Sequence, residues 1–205
     1  MSRHAPGGQA LRTRAGQALA RRLGRDAITG MITHWARERS VVSRHIYREA
    51  MARVGAAVHV VTTAGPAGRY GFTASAVTSV TDDPPTLLVC QNRASDANRA
   101  FKANGLLCVN TLAAAQERLS AVFAGMTDCD MDGRFAAAEW GTLVSAAPVL
   151  AGALVSFDCR IAQVVEVGTH SVLFCEVVAL VVGPGHEGLI YFGRRYHPVR
   201  VTVPG

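Results

Sequence analysis

Apolar and β-branched residues come mostly in short runs separated by Gly, Pro, Asn and Asp, and only a few stretches carry the three-to-four-residue spacing of a helix. Residues 46–54 have helical spacing and end at Gly55, which suits a C-terminal cap. Residues 57–63 form a strand, and Ala-Gly-Pro-Ala-Gly-Arg-Tyr-Gly after it is a hairpin loop rich in turn formers. The pattern then predicts a helix over 94–104 closed by Gly105, and a strand over 106–112. An amphipathic helix over 113–125 carries Leu119, Val122 and Phe123 on one side. An acidic loop over 127–133 leads into a short helix over 134–139. The last third reads as sheet: a long strand over 153–167, a turn over 168–170, its antiparallel partner over 171–182, and a strand over 189–192. Short punctuated strands with few helices predict a mainly β fold, a closed or half-closed antiparallel barrel.

The stretch from Gly71 to Ser95 organises the rest. It begins Gly-Phe-Thr-Ala-Ser-Ala-Val-Thr-Ser-Val-Thr, strand-like, but Ala74, Ser75 and Ala76 leave an unusually shallow surface. Such a ribbon either lets a planar group lie on the backbone or simply allows close sheet packing. Pro84 and Pro85 force a turn, and an apolar strand follows from Thr86 to Cys90. Asn92 and Ser95 then stand at the expected start of a helix, whose free amides and partial positive charge can seat a phosphate. Either residue could equally cap the helix without any ligand. Arg93, Arg99 and Lys102, the one lysine of the chain, add positive potential nearby.

Charge divides the chain in two. The net charge is +6, yet residues 1–45 hold nine Arg against Asp26 and Glu38, so the remainder is close to neutral. We therefore expect an Arg-rich, poorly ordered arm over 1–45, with an organellar presequence as the alternative, and one domain over 46–205. A near-neutral domain argues against nucleic-acid binding on a basic surface. No apolar run is long enough to span a bilayer as a helix, so no membrane role is expected. Five cysteines without a Cys-x-x-Cys spacing argue against a disulfide framework or a zinc site and fit a reducing cytoplasm. No Gly-x-Gly-x-x-Gly follows a strand, so a Rossmann domain is not expected.

The run Gly-Phe-Thr-Ala-Ser-Ala-Val-Thr-Ser-Val-Thr-Asp-Asp-Pro-Pro-Thr-Leu-Leu-Val-Cys closely resembles the flavin reductase family, which supplies reduced flavin to two-component monooxygenases. Within the family it is similar to the branch serving pyrimidine (uracil) utilisation, the Rut pathway, over residues 47–198. The resemblance implies a split β-barrel, a homodimer in the cytoplasm, and hydride transfer from NADH to FMN, with FAD as the other flavin choice. A flavin-dependent monooxygenase would receive the product. It also implies site residues: Thr73, Ala74, Ser75 and Ala76 as the isoalloxazine bed, Asn92 and Ser95 on the phosphate, with Lys102 or Arg99 as further phosphate candidates. Asn110, in Cys-Val-Asn-Thr, is either a flavin contact or a buried strand tie. Tyr196 would cover the ring and Arg194 would meet a pyrophosphate; a merely solvated strand tip is the alternative.

Of the seven histidines, His170 in Val-Gly-Thr-His-Ser matches the turn that relatives place beside the nicotinamide. Thr169 stands where an Asp is usual, and Ser171 where relatives are acidic. Arg134-Phe135 resembles a family pair, for which helix capping or a dimer contact is an alternative. No nucleophile triad, paired carboxylates or metal box stands out, in keeping with chemistry in which the protein orients and the cofactors react. Two other readings remain: a flavin-binding electron carrier without reductase activity, and a flavin oxidase in the manner of pyridoxamine-phosphate oxidases.

Overall fold

The computed structural model describes residues 42–200. Almost all of the Arg-rich arm, including a candidate helix over 17–35, lies outside the described residues. Helix α1 (Arg44–Met51) buries none of its side chains.

The sheet is built from β2 (His59–Thr63), β3 (Tyr70–Ala74), β4 (Val77–Asp82), β5 (Pro85–Asn92), β6 (Leu106–Thr111), β9 (Val155–Val167) and β10 (His170–Val182), in the order β3-β2-β6-β9-β10-β5-β4. Every pairing in it is antiparallel. Strands β3 and β4 are its two opposite edges, yet only Ser75 and Ala76 separate them in sequence. A two-residue link reaches a few ångströms, so the sheet must curl until its edges meet. That gives a split barrel, closed at one corner by Ser75-Ala76, with Cys90 N donating to Ala76 O at 3.0 Å.

The expected continuous ribbon through Ala74–Ala76 is therefore a corner rather than the middle of a strand. The expected strand over 57–63 is also divided. β1 (Ala56–Ala57) pairs with β11 (Glu187–Phe192), while β2 enters the barrel. Both faces of β2 are packed, Val60 in one core cluster and Val61 in the other, so all five of its residues are buried without a polar-outward alternation.

Helix α2 (Ala97–Asn104) packs Ala97, Ala100 and Phe101 against the barrel, and Phe101 meets Phe72 edge-on at 5.2 Å. Gly105 closes it in the left-handed conformation, φ +67, as expected. Its start is three residues later than the spacing predicts, because Asn92 Oδ1 accepts from Ala94 N and holds the chain in a turn first. Helix α3 (Glu117–Phe123) buries Leu119, Val122 and Phe123. Phe123 lies so close to β3 that a Cβ on Gly71 would sit 2.7 Å from its ring.

Helix α4 (Met131–Ala136) begins earlier than expected, since Asp130 caps it by accepting from Gly133 N at 2.8 Å. Phe123, Phe135 and Trp140 pack edge-on at 5.0–5.7 Å beneath it. Two features escape the sequence pattern: the small hairpin β7 (Trp140–Thr142) and β8 (Pro148–Leu150), and β12 (Arg195–Arg200). β12 pairs with β11 through Gly193 and Arg194, both in left-handed conformation (φ 57 and 63), the geometry a two-residue hairpin needs.

Candidate functional site

Strand β3, the end of β5 and the turn after it, and helices α2, α3 and α4 line a cavity of about 670 Å³. Gly71, Thr73, Gln91, Asn92, Ser95 and Arg134 are among its walls. Thr73 also lines a second cavity of about 140 Å³, shared with Ala74, Ser75, Ser120 and Tyr196. The two hollows together thus bring six sequence candidates to one end of the barrel: Thr73, Ala74, Ser75, Asn92, Ser95 and Tyr196.

Each of these is held locally. The Thr73 hydroxyl donates to Ser120 O at 2.7 Å, so its lone pairs are what it offers a ligand. Ser120, buried, bonds the Tyr196 hydroxyl, fixing that ring beside the bed. Ser95 N donates to Asn92 O at 3.2 Å and Ser95 O accepts from Asn98 N at 2.9 Å, which locks the turn between strand and helix. Ala76 lines neither cavity; its carbonyl serves the corner.

Besides Ala76, five candidates, His170 among them, line neither cavity. Lys102 Nζ is committed to Glu166 Oε1 at 3.0 Å and belongs to neither cavity wall. Arg99 is exposed and also absent from the walls. Asn110 is fully buried. Its Nδ2 donates to Val60 O and Thr62 Oγ1, and its Oδ1 accepts from Leu150 N and Ser156 Oγ, which is the strand-tie reading. Arg194 sits at the tip of the β11–β12 hairpin, outside both walls.

His170 opens β10 and lies directly opposite Asn92 on β5. Arg93 N donates to Thr169 O at 3.0 Å, joining the two turns. Thr169 Oγ1 contacts His170 Nδ1 at 2.9 Å, so the residue that replaces the usual Asp still orients the ring. Ser171, one residue on, is buried and donates to Glu166 Oε2 at 2.9 Å. Arg93 Nε reaches the same oxygen at 3.0 Å. Hydrogen bonds from Lys102 and then Ser171 hold the Glu166 carboxyl below its ordinary pKa, keeping it an acceptor.

That carboxylate sets the direction of a buried polar chain the sequence does not reveal. Ser171 must donate to Glu166, so it accepts from Asn98 Nδ2 at 3.1 Å; the same Nδ2 donates to Gln91 Oε1 at 3.2 Å. Gln91 Nε2 is then left over, a buried donor with no hydrogen-bond partner, in a residue that helps wall the larger cavity. Leaving such a donor unsatisfied costs about 1–3 kcal/mol, and sites selected for binding are where that cost is tolerated. Arg134 and Gln91 are among the wall residues the sequence reading did not assign. Arg134 appeared there only as half of a resemblance, and a glutamine inside an apolar strand run gave no signal.

Comparison with known proteins follows from this geometry. The family model described as "Flavin reductase like domain" matches residues 51–200. A protein of Ancylobacter novellus named FMN reductase (NADH) RutF is 63% identical over 164 residues, covering 80% of this chain and 90% of that one. Its namesake in Pantoea ananatis is 56% identical over 164 residues, 80% and 85% of the two chains. Among solved structures, the NADH:FAD oxidoreductase SgcE6 of Streptomyces globisporus C-1027 superposes with TM-score 0.71 at 28% identity, over 80% of this chain and 96% of its own. A Haemophilus somnus 129PT protein assigned as a flavin reductase gives TM-score 0.74 at 46% identity, over 77% and 100%.

Proposed function

The chain belongs to the flavin reductase like family, and we propose that it is an NADH-dependent FMN reductase whose reduced flavin serves a partner two-component monooxygenase in pyrimidine breakdown. The observation that carries the reading is the larger cavity, between β3, the turn after β5 and the three helices. It is walled by hydroxyls, amides, aromatic rings, one carboxylate and one guanidinium, and its size lies in the range of small-molecule pockets. The residues fit FMN: a shallow bed at Thr73–Ser75, a buried unpaired donor on Gln91, and a polar turn at Asn92–Ser95 beside the start of α2.

When bound, the flavin supplies the two-electron acceptor for a hydride from the nicotinamide of NADH. The protein's part is placement. Thr73, Ala74 and Ser75 support one side of the ring, and Tyr196, fixed through Ser120, borders the same hollow. Asn92 and Ser95 hold the phosphate end. His170, oriented by Thr169 and paired across the ladder with Asn92, meets the nicotinamide. Ordering both partners in this way converts a bimolecular encounter into an oriented one, worth several kcal/mol of barrier.

The pyrimidine assignment rests on the likeness to the RutF relatives. The monooxygenase partner is supported by a structural neighbour at 25% identity titled nitrilotriacetate monooxygenase component B. A cytoplasmic homodimer completes the proposal. Five free cysteines support the compartment, and exposed apolar side chains on β10 such as Leu180 and Val182 support a second subunit. Mixing the purified protein with excess NADH and FMN tests the activity. Many NADH oxidised per protein is the expected result, and tight flavin binding without turnover would favour an electron carrier instead.

A further inference from the structure

We infer that Arg134 is the residue that recognises the phosphate of FMN, and so the residue by which this protein distinguishes FMN from riboflavin. This rests on the flavin-site reading above. A phosphate monoester near neutral pH carries close to two negative charges and is met best by a guanidinium, which can donate two parallel hydrogen bonds. The larger cavity has a single cationic side chain in its wall, Arg134, and a single carboxylate, Asp96.

The guanidinium is positioned and left without a counter-ion. Its Nε donates to Cys129 O at 3.4 Å, which fixes the plane and leaves both Nη groups over. Nη2 lies against Gly125, another wall residue, where an added Cβ would stand 3.4 Å away, and Gly125 has φ +73. Asp96, exposed before α2, makes no ion pair with Arg134, and two carboxylates on or beside α4 are committed elsewhere. Asp130 caps α4, and Asp132 pairs with Arg69 at 3.1 Å. Among the described residues Arg134 makes no ion pair. A half-buried guanidinium that makes no ion pair, facing a polar hollow, is a site for an anion that arrives with a ligand. Of the other cations near the turn, Lys102 and Arg93 are both engaged on Glu166, and Arg99 is exposed and outside the wall.

Equilibrium titration of FMN and of riboflavin, followed by flavin fluorescence quenching, tests this in wild type, Arg134→Met, Arg134→Lys and Lys102→Met. Wild type should bind FMN more tightly than riboflavin. Arg134→Met should cut FMN affinity about ten- to hundredfold with riboflavin affinity unchanged. Arg134→Lys should recover part of the loss, and Lys102→Met should leave the ratio as it is. If Arg134→Met proves poorly folded, the wild-type salt dependence decides instead: FMN affinity should fall with ionic strength and riboflavin affinity should not. Equal losses for both flavins, no loss, or a loss confined to Lys102→Met would each overturn the assignment. So would an Arg134→Met effect on the NADH KM alone, which would move the guanidinium to the dinucleotide. Failure of wild type to bind either flavin would instead overturn the flavin reading itself.

Discussion

His170 and Asn92 face each other across the β5–β10 ladder, one opening β10 and the other in the wall of the larger cavity. Directly opposed residues of an antiparallel pair project to the same side, so the proposed nicotinamide contact and the proposed phosphate contact are placed by one hydrogen-bonded register. Replacing His170 by Ala should raise the NADH KM roughly tenfold, the effect of losing one good polar contact, with FMN affinity little changed. Steady-state kinetics at varied NADH, beside an FMN titration, checks it; an unchanged NADH KM and kcat would remove His170 from the site.

Asn92 and Ser95 should separate on mutation although both border the cavity. Asn92 Oδ1 also holds Ala94 N at 3.0 Å, so Asn92→Ala should weaken FMN and lower the unfolding midpoint together. Ser95→Ala keeps the backbone bonds of the turn and should weaken FMN severalfold with the midpoint unmoved. Calorimetric titration with parallel thermal melts reads both quantities. Unaltered FMN affinity in both variants contradicts the phosphate-end assignment.

Gln91 separates binding from stability. Gln91→Leu removes the buried unpaired Nε2 but also the Oε1 that accepts from Asn98 Nδ2, so the two effects offset and the Tm of the ligand-free protein should move by less than about 2–4 °C. FMN affinity should fall at the same time, since a bound ligand is what offers that donor an acceptor. A variant that is less stable and binds FMN as well as wild type would show that Gln91 serves only packing.

His59 makes folding sensitive to acid. It is buried on β2 with Nδ1 near Thr111 Oγ1 at 3.1 Å, and burial lowers its pKa from 6.5 to about 4. Between those values the unfolded chain carries a proton on this ring that the native chain does not. Stability from His59 is therefore fully present above about pH 6.5 and lost as pH falls toward 4, by at most about 1.4 kcal/mol per pH unit. Denaturant midpoints at pH 7.5 and pH 5 should differ less in His59→Gln than in wild type. Equal differences would show that other groups govern the acid limb.

Much of this architecture can be read in the chain, and the parts that cannot share a cause. Gly105 after a helical run, Leu119, Val122 and Phe123 on one helix face, and the turn at Gly168 before His170 are local signals, and each lies where its pattern puts it. The corner at Ser75-Ala76 is not local: it exists because β3 and β4 are opposite sheet edges, which no periodicity reports. β12 is hidden because its hairpin uses Arg194 in a left-handed conformation, where sequence rules look for Asn or Gly. Lys102 looked like a phosphate ligand by proximity in sequence, but Glu166, distant in the chain, takes it. Arg134 enters the cavity from a helix whose start depends on the Asp130 cap, beyond the reach of any motif around Asn92.

The central claim is that FMN occupies the barrel corner. A crystal structure of the protein grown with saturating FMN measures this directly. The expected result is ring density against Thr73, Ala74 and Ser75, phosphate density at Asn92 and Ser95, and a partner for Gln91 Nε2. Flavin bound at another surface, or the corner empty at saturating FMN, would contradict the account.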